Sequence, residues 1–132
     1  MSPIEHELYV AMLNEGLSPE PQVGVKGYFV DFAFEDIKLA IEADGSAYHT
    51  GERQDRDRQR DFTLGQSGWT VKRFRGCTIH DRAANCAFVI KKEVEQRMEE
   101  EVAHSQREED ERRRSRSALL GPFRRLFGHH KG

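Results

Sequence analysis

Asp31, Glu42, Asp44 and His49 are the residues of this chain whose types and spacing best suit chemistry. Three offer hard oxygen donors, and the fourth is an imidazole that titrates near neutrality. They fall in and just after two strand-like runs, YFVDFAF at Tyr28–Phe34 and IKLAIEAD at Ile37–Asp44, separated by Glu35-Asp36. Successive strand side chains point to opposite faces. Tyr28, Val30, Phe32 and Phe34 therefore share one face, and Ile37, Leu39, Ile41 and Ala43 share one face of the next run. A hairpin must put both apolar sets on the same side, because a one-residue slip buries the polar set. Asp31 and Ala33 then join Ala40, Glu42 and Asp44 on the opposite side. Pairing Phe34 with Ile37 sets Asp31 across from Ala40 and Glu42 on the diagonal, roughly 7–8 Å away between backbones. Carboxylates there can share a divalent cation, and the neighbouring alanines predict open space above them.

The plain alternative is a hairpin with one solvated face. Against it stand three converging acids with only Lys38 near them, since like charges at that distance repel unless a cation or proton lies between them. The acids also lead into Gly45 and then His49, a further ligand or base.

The elements that must position these residues can be read along the chain. Ser2-Pro3-Ile4-Glu5 starts a helix: Ser2 caps, Pro3 suits the first helical position and Glu5 completes a capping box. Ile4, Leu8 and Met12 recur at helical spacing, and Gly16 stops the helix. Capping is thus the ordinary role for Glu5. Gln22–Val25 is a short strand, and Gly27 turns the chain into the hairpin. A second helix is predicted from about Arg53 to Gln66, with only Phe62 and Leu64 as apolar content. Arg53, Asp57, Arg60 and Asp61 build its polar face, which either faces solvent with internal ion pairs or aims Asp57 at the acidic site and arginines at phosphates. Gly68 ends it. Trp69, Val71 and Arg73 then alternate with Thr70, Lys72 and Phe74 in a strand, and a helix between two strands predicts a parallel crossover. The expected order is α-β-β-β-α-β-α.

The 132 residues allow one ordinary domain, and 36% hydrophobic against 33% charged residues predicts a small core with a solvated extension. A net charge of −2 excludes a uniformly basic nucleic-acid binder while averaging over unlike segments. No apolar run suggests a signal peptide or a membrane span. Cys77 and Cys86 lack metal-ligand spacing, so reduced thiols and a cytoplasmic location are expected.

The element order, the spacing Asp31 … Glu42-x-Asp44, and the run R-D-R-Q-R-D-x-x-L-x-x-x-G-W-x-V resemble the PD-(D/E)xK nuclease fold, a restriction-endonuclease-like α/β architecture with a mixed sheet. The motifs V-D-F-A at Val30–Ala33, I-E-A-D-G-x-x-Y-H at Ile41–His49, and Arg56–Val71 look more narrowly like its very-short-patch-repair-type branch. The resemblance covers roughly Ser2 to Lys92. It implies an Mg²⁺- or Mn²⁺-dependent DNA endonuclease, working in repair or restriction. Asp31 corresponds to the central metal-binding aspartate and Glu42 to the acid of (D/E)xK. His49 matches the histidine after the turn in the repair branch, Asp57 the acid opening the next helix, and Glu5 a first-helix glutamate. Asp44 replaces the motif lysine. The repair branch lacks that lysine too, so Asp44 either binds metal with Asp31 and Glu42, positions water through His49, or marks a lost site. Lys72 is the candidate for the missing positive charge.

The chemistry asks for these groups. Hydrolysing a phosphodiester needs a more acidic water and relief of charge on the phosphate, which hard-ligated Mg²⁺ supplies while keeping positions for water and phosphate. His49 can accept a proton from the water or hydrogen-bond the phosphate. Arg53, Arg56, Arg60, Lys72, Arg73 and Arg75 are the expected nucleic-acid contacts. A silent nuclease fold used as a nucleic-acid-binding or assembly module is the alternative, with Asp44 recording the lost lysine.

Ala83–Lys92 reads as a helix packing Ala87, Phe88 and Ile90 on the sheet. It continues past Val94 and Met98 into a stretch nearly without apolar positions, a solvated helix or disorder. Glu108–Arg116 runs from acid to base, which suits the helix dipole. Leu119, Leu120, Phe123, Leu126 and Phe127 return with Arg124, Arg125 and Lys131 as a basic amphipathic tail. The expected divisions are an endonuclease-like domain at 1–95, a charged helix at 96–117 and a tail at 118–132. The last two are candidates for self-association or for docking on a protein partner, a membrane surface or DNA.

Overall fold

The computed structural model describes the backbone of residues 1–45 and 51–127, and side chains as far as 120. Contacts divide the chain into two compact units, Met1–Gln96 and Arg97–Gly132. The first opens with α1 (Pro3–Asn14), capped by Ser2, whose Oγ accepts from the Glu5 N–H at 3.3 Å. The Glu5 side chain does not close the expected capping box. Its Oε2 accepts instead from Gln22 Nε2 at 3.1 Å.

Strands β1 (Glu20–Val25), β2 (Tyr28–Phe34) and β3 (Leu39–Asp44), helix α2 (Gly51–Gln66), strand β4 (Thr70–Arg75) and helix α3 (Gly76–Phe127) follow. The predicted order holds. The sheet runs β1-β2-β3-β4, antiparallel across the first two junctions and parallel between β3 and β4. Lys26 and Gly27, at φ of 50° and 83°, form the two-residue turn between β1 and β2, a left-handed pair of conformations that matches strand twist in a tight hairpin.

Each face of the sheet is covered, giving three layers. On one side Phe32, Leu39 and Ile41 pack under Leu8 and Met12 of α1 and Ile79, Ala87 and Ile90 of α3; Tyr9 stacks on Phe32 with ring centres 5.7 Å apart. On the other, Val23, Val25, Val30, Ala33 and Ala40 pack under Leu64 of α2, with Trp69 and Val71 alongside. Burying one such aliphatic side chain contributes about 1.5–3 kcal/mol, so Leu64, fully buried, is the main apolar anchor of an otherwise polar helix.

Four local expectations are corrected. Phe34 pairs with Leu39 instead of Ile37, because Glu35–Ile37 form a 3₁₀ turn closed by Lys38 in the left-handed region. Moving the partner by two residues keeps the faces and brings the rung of Asp31 to Glu42. Val30 packs with Ala33 and Ala40 and not with Phe32. The alternation breaks at Asp31, opposite Gln22, which takes a φ of 52° and drops out of the β1–β2 pairing. The alanines leave no open space, since Leu64 fills it. Phe88 is exposed and lies beside Lys92, whose Nζ is 5.2 Å from the ring centre. Ile79, Ala83, Cys86, Ala87, Ile90 and Val94 make the inner stripe of α3, which is interrupted at Arg82 by a non-helical backbone.

The second unit is helical as far as Phe127, and every described side chain from Met98 to Leu120 is exposed. Arg113 pairs with Glu109 at 3.2 Å, and His104 lies 3.1 Å from Glu108. These are one-turn contacts that support a helix locally. No described helix is long and apolar enough to cross a membrane.

Candidate active site

The site is built where β2 and β3 stop pairing. Their last rung joins Phe32 to Ile41, and one step further the Asp31 Oδ2 accepts from the Ala43 N–H at 2.8 Å. A side chain thus takes the place of a ladder acceptor, which fixes the Asp31 carboxylate between the strands and against Glu42. Burial pushes the Glu42 carboxyl up to about 7 and the Asp31 charge adds to this, while the guanidinium of Arg60 pulls the other way. Arg60 reaches Glu42 from α2 and also donates to the Phe29 carbonyl at 2.9 Å. Both partners of that ion pair are nearly enclosed, with side chains 14% and 12% exposed.

Arg73 sits beside Glu42 in the parallel register, and its guanidinium donates twice to Asp61, at 3.2 and 3.4 Å. Burial opposes the charge of Arg73, yet its hydrogen bonds to Asp61 and the nearby charges of Asp61, Glu42 and Asp57 outweigh that and hold it more firmly cationic. Beyond it, at the carboxyl ends of β3 and β4, a cleft of about 440 Å³ is lined by Asp44, Gln54, Asp57, Arg58, Asp61, Arg73 and Arg75. Open α/β sheets place ligands outside the carboxyl ends of their strands.

Of the sequence-derived candidates, Asp31 and Glu42 come together, and Asp44, Asp57, Arg73 and Arg75 meet in the cleft. Among the described residues no three His, Cys, Asp or Glu side chains converge as a metal cage; Asp44 lines the cleft with Asp57 and Asp61. Glu5 bonds to Gln22, which stands at the rung facing Asp31. Lys72 pairs with Ile41, and strand alternation puts it on the face of α1 and α3, away from the acids. The charge beside Glu42 comes from Arg60 and Arg73. Arg53 and Arg56 are exposed on α2. His49 lies outside the described residues. Sequence reasoning missed Gln54 and Arg58 as cleft residues, and it gave Asp61 no partner. Gln54, Asp57, Arg58 and Asp61 recur at helical spacing, so a stripe of alternating charge was the available signal.

The donor set fits a divalent ion. Mg²⁺ is commonly held by one or two carboxylates and completes its shell with water and substrate phosphate. Two adjacent carboxyls, one of them pushed toward its protonated form by burial and by its neighbour's charge, meet that description.

The profile of a family described as REase_MTES_1575 matches residues 4–94. An uncharacterized protein of Haemophilus influenzae is 45% identical over 47 residues, which are 36% of this chain and 39% of that protein. The chain therefore spans well under half of that relative. Among solved structures, the catalytic domain of the homing endonuclease I-Bth0305I superposes with a TM-score of 0.59 over 70% of this chain and 93% of its own, at 19% identity. That likeness is one of fold.

Proposed function

Since the chain belongs to the REase_MTES_1575 family of restriction-endonuclease-like proteins, we propose that it is a divalent-metal-dependent DNA endonuclease, acting in repair or restriction. The observation that carries this reading is the pairing of Asp31 and Glu42 at the end of the β2–β3 ladder, with two arginines beside them. Asp31 and Glu42 would hold Mg²⁺ or Mn²⁺, which supplies an acidified water and charge relief at the phosphate. Arg73 and Arg75 lie in the cleft where a phosphate backbone would pass, and guanidinium groups suit bidentate phosphate contacts. Asp57 would orient the attacking water, and His49 would serve as the base that accepts its proton. The motifs at Ile41–His49 and Arg56–Val71 support assignment to the very-short-patch-repair-type branch.

A second reading, a fold that binds nucleic acid without cutting it, is favoured by Asp44 in place of the motif lysine. Incubating supercoiled plasmid with the protein and Mg²⁺ or Mn²⁺ separates the two. Nicking or linearisation that EDTA and Asp31→Asn both abolish supports the enzyme. Retarded migration of intact plasmid, unchanged by EDTA, supports the binding module.

A further inference from the structure

Arg60 is anchored in a way that a plain structural ion pair does not need. Its guanidinium is shared between Glu42 and one neutral acceptor, the Phe29 carbonyl; Asp61 Oδ1 stands 3.9 Å from the other terminal nitrogen. The second cation near Glu42, Arg73, is committed to Asp61 by two hydrogen bonds. The cation placed directly against this carboxyl pair is therefore Arg60, the protein's own positive charge.

We propose that Arg60 stands in for the divalent ion in the metal-free protein, yields Glu42 when the ion binds, and then turns its guanidinium to the DNA phosphate. This rests on the metal-dependent reading above and adds to it the residue that couples cation loading to substrate grip. The direction follows from charge. A doubly charged ion between Asp31 and Glu42 gains more from two carboxylates than a monovalent guanidinium bound to one. The displaced group is a planar fork of donors that matches phosphate geometry. It is not stranded meanwhile, since Asp61 and the Phe29 carbonyl remain within reach. A nearly buried carboxylate left with no counter-charge is unfavourable, which explains why the metal-free site keeps an internal cation at all.

Calorimetric titration of Mn²⁺ into the full chain at pH 8 tests the exchange, using wild type, Arg60→Gln and Asp31→Asn. The expected result is Mn²⁺ binding to wild type, at least about fivefold tighter binding to Arg60→Gln because the competitor is gone, and loss of binding in Asp31→Asn. Equal or weaker binding to Arg60→Gln, with wild type binding normally, overturns the proposal and leaves metal dependence standing. Absence of binding in all three proteins removes the metal-dependent reading itself. A readout on the unaltered chain guards against a misfolded variant. Saturating Mg²⁺ should shift the resonances of the Arg60 terminal guanidinium N–H groups, which donate to Glu42 and the Phe29 carbonyl, and unmoved resonances at saturation also overturn the exchange. For the phosphate step, Arg60→Gln at saturating metal should cleave DNA at least about tenfold more slowly, since charge-assisted contacts typically contribute that much; full activity overturns this half.

Discussion

Asp31 accepts the backbone N–H of Ala43 at 2.8 Å, across a ribbon whose ladder has already ended at Phe32 and Ile41. The same carboxylate therefore closes the sheet and faces Glu42, so fold and site share one side chain. Asparagine can still accept from Ala43, whereas alanine leaves a part-buried donor unsatisfied, at a cost of about 1–3 kcal/mol. Asp31→Asn should melt within about 1 kcal/mol of wild type, and Asp31→Ala should be less stable by more. Both should lose DNA cleavage by at least about a hundredfold. Urea unfolding beside a plasmid assay separates the two roles, and an active Asp31→Asn protein would remove Asp31 from the metal site.

Glu42 makes metal-free stability depend on pH, with a definite sign. Its carboxyl, ordinarily near 4.5, is pushed up to about 7. Between those values the unfolded chain has released this proton and the folded chain retains it. The folded state binds more protons there, so stability falls as pH rises through the window. Urea midpoints measured without metal should be lower at pH 8 than at pH 5. Glu42→Gln, which cannot ionise, should flatten that contribution. Added Mn²⁺ should restore midpoint at pH 8 in wild type and have no effect on Glu42→Gln.

The element order was legible because each element carries its own period: alternation in Tyr28–Phe34, helical spacing in Ile4, Leu8 and Met12, and a helix between two strands. The pairing of Asp31 with Glu42 was legible only to within two residues. Register depends on the turn, and nothing about Lys38 announces a left-handed residue closing a 3₁₀ turn over Glu35–Ile37. Because strands repeat every two residues, that error kept the faces and even improved the site. The supposed space above Ala33 and Ala40 was misread for another reason. Small residues mark close approach as readily as open space, and here Leu64 comes down onto them. The engagement of Arg60 with Glu42 lay beyond sequence alone, since α2 carries arginines on several faces and only docking through Leu64 selects which one turns inward.

Asp57 lines the cleft from α2 beside Arg58 and Asp61, and it belongs to no packed core. Asp57→Asn keeps shape and volume while removing the charge that would orient a water. Its melting temperature should stay within about 3 °C of wild type, as for most substitutions away from the core. Its cleavage rate should fall by about a hundredfold, the lower range for a lost acid–base or water-orienting group. Wild-type turnover in this variant would assign Asp57 to the solvated ion pairs of the helix.

Gly76 opens α3 where β4 ends, against the end of β3. A methyl group there would meet Ile4 Cδ1 at 2.6 Å, the Asp44 carbonyl at 3.2 Å and Gly45 Cα at 3.3 Å. The isoleucine can rotate, but the two backbone atoms cannot yield without shifting the end of β3, which carries Asp44 into the cleft. Gly76→Ala should cost about 1–3 kcal/mol by overpacking, although alanine is the better helix former. Ile4→Val in the same chain should recover part of that loss by relieving the side-chain clash alone. Full recovery would show that the backbone contacts at Asp44 and Gly45 are not limiting.

Removing residues 97–132 should leave the first unit folded and competent. Among the described residues the last buried side chain of α3 is Val94, and those from Met98 to Leu120 are all exposed, so the excision forfeits almost no apolar burial among them. Since burial is the main favourable term in folding, chain 1–96 should melt within about 3 °C of the full protein, as expected when surface changes stay within about 0.5 kcal/mol. Its rate of phosphodiester cleavage at saturating DNA should match the full chain, because every group of the site lies before Gly76. What the second unit contributes should appear elsewhere, as a change in sedimentation size if it assembles copies of the chain, or as weaker and less salt-sensitive DNA binding if its arginines contact phosphate. A 1–96 chain that fails to fold would show that the first unit is not stable by itself.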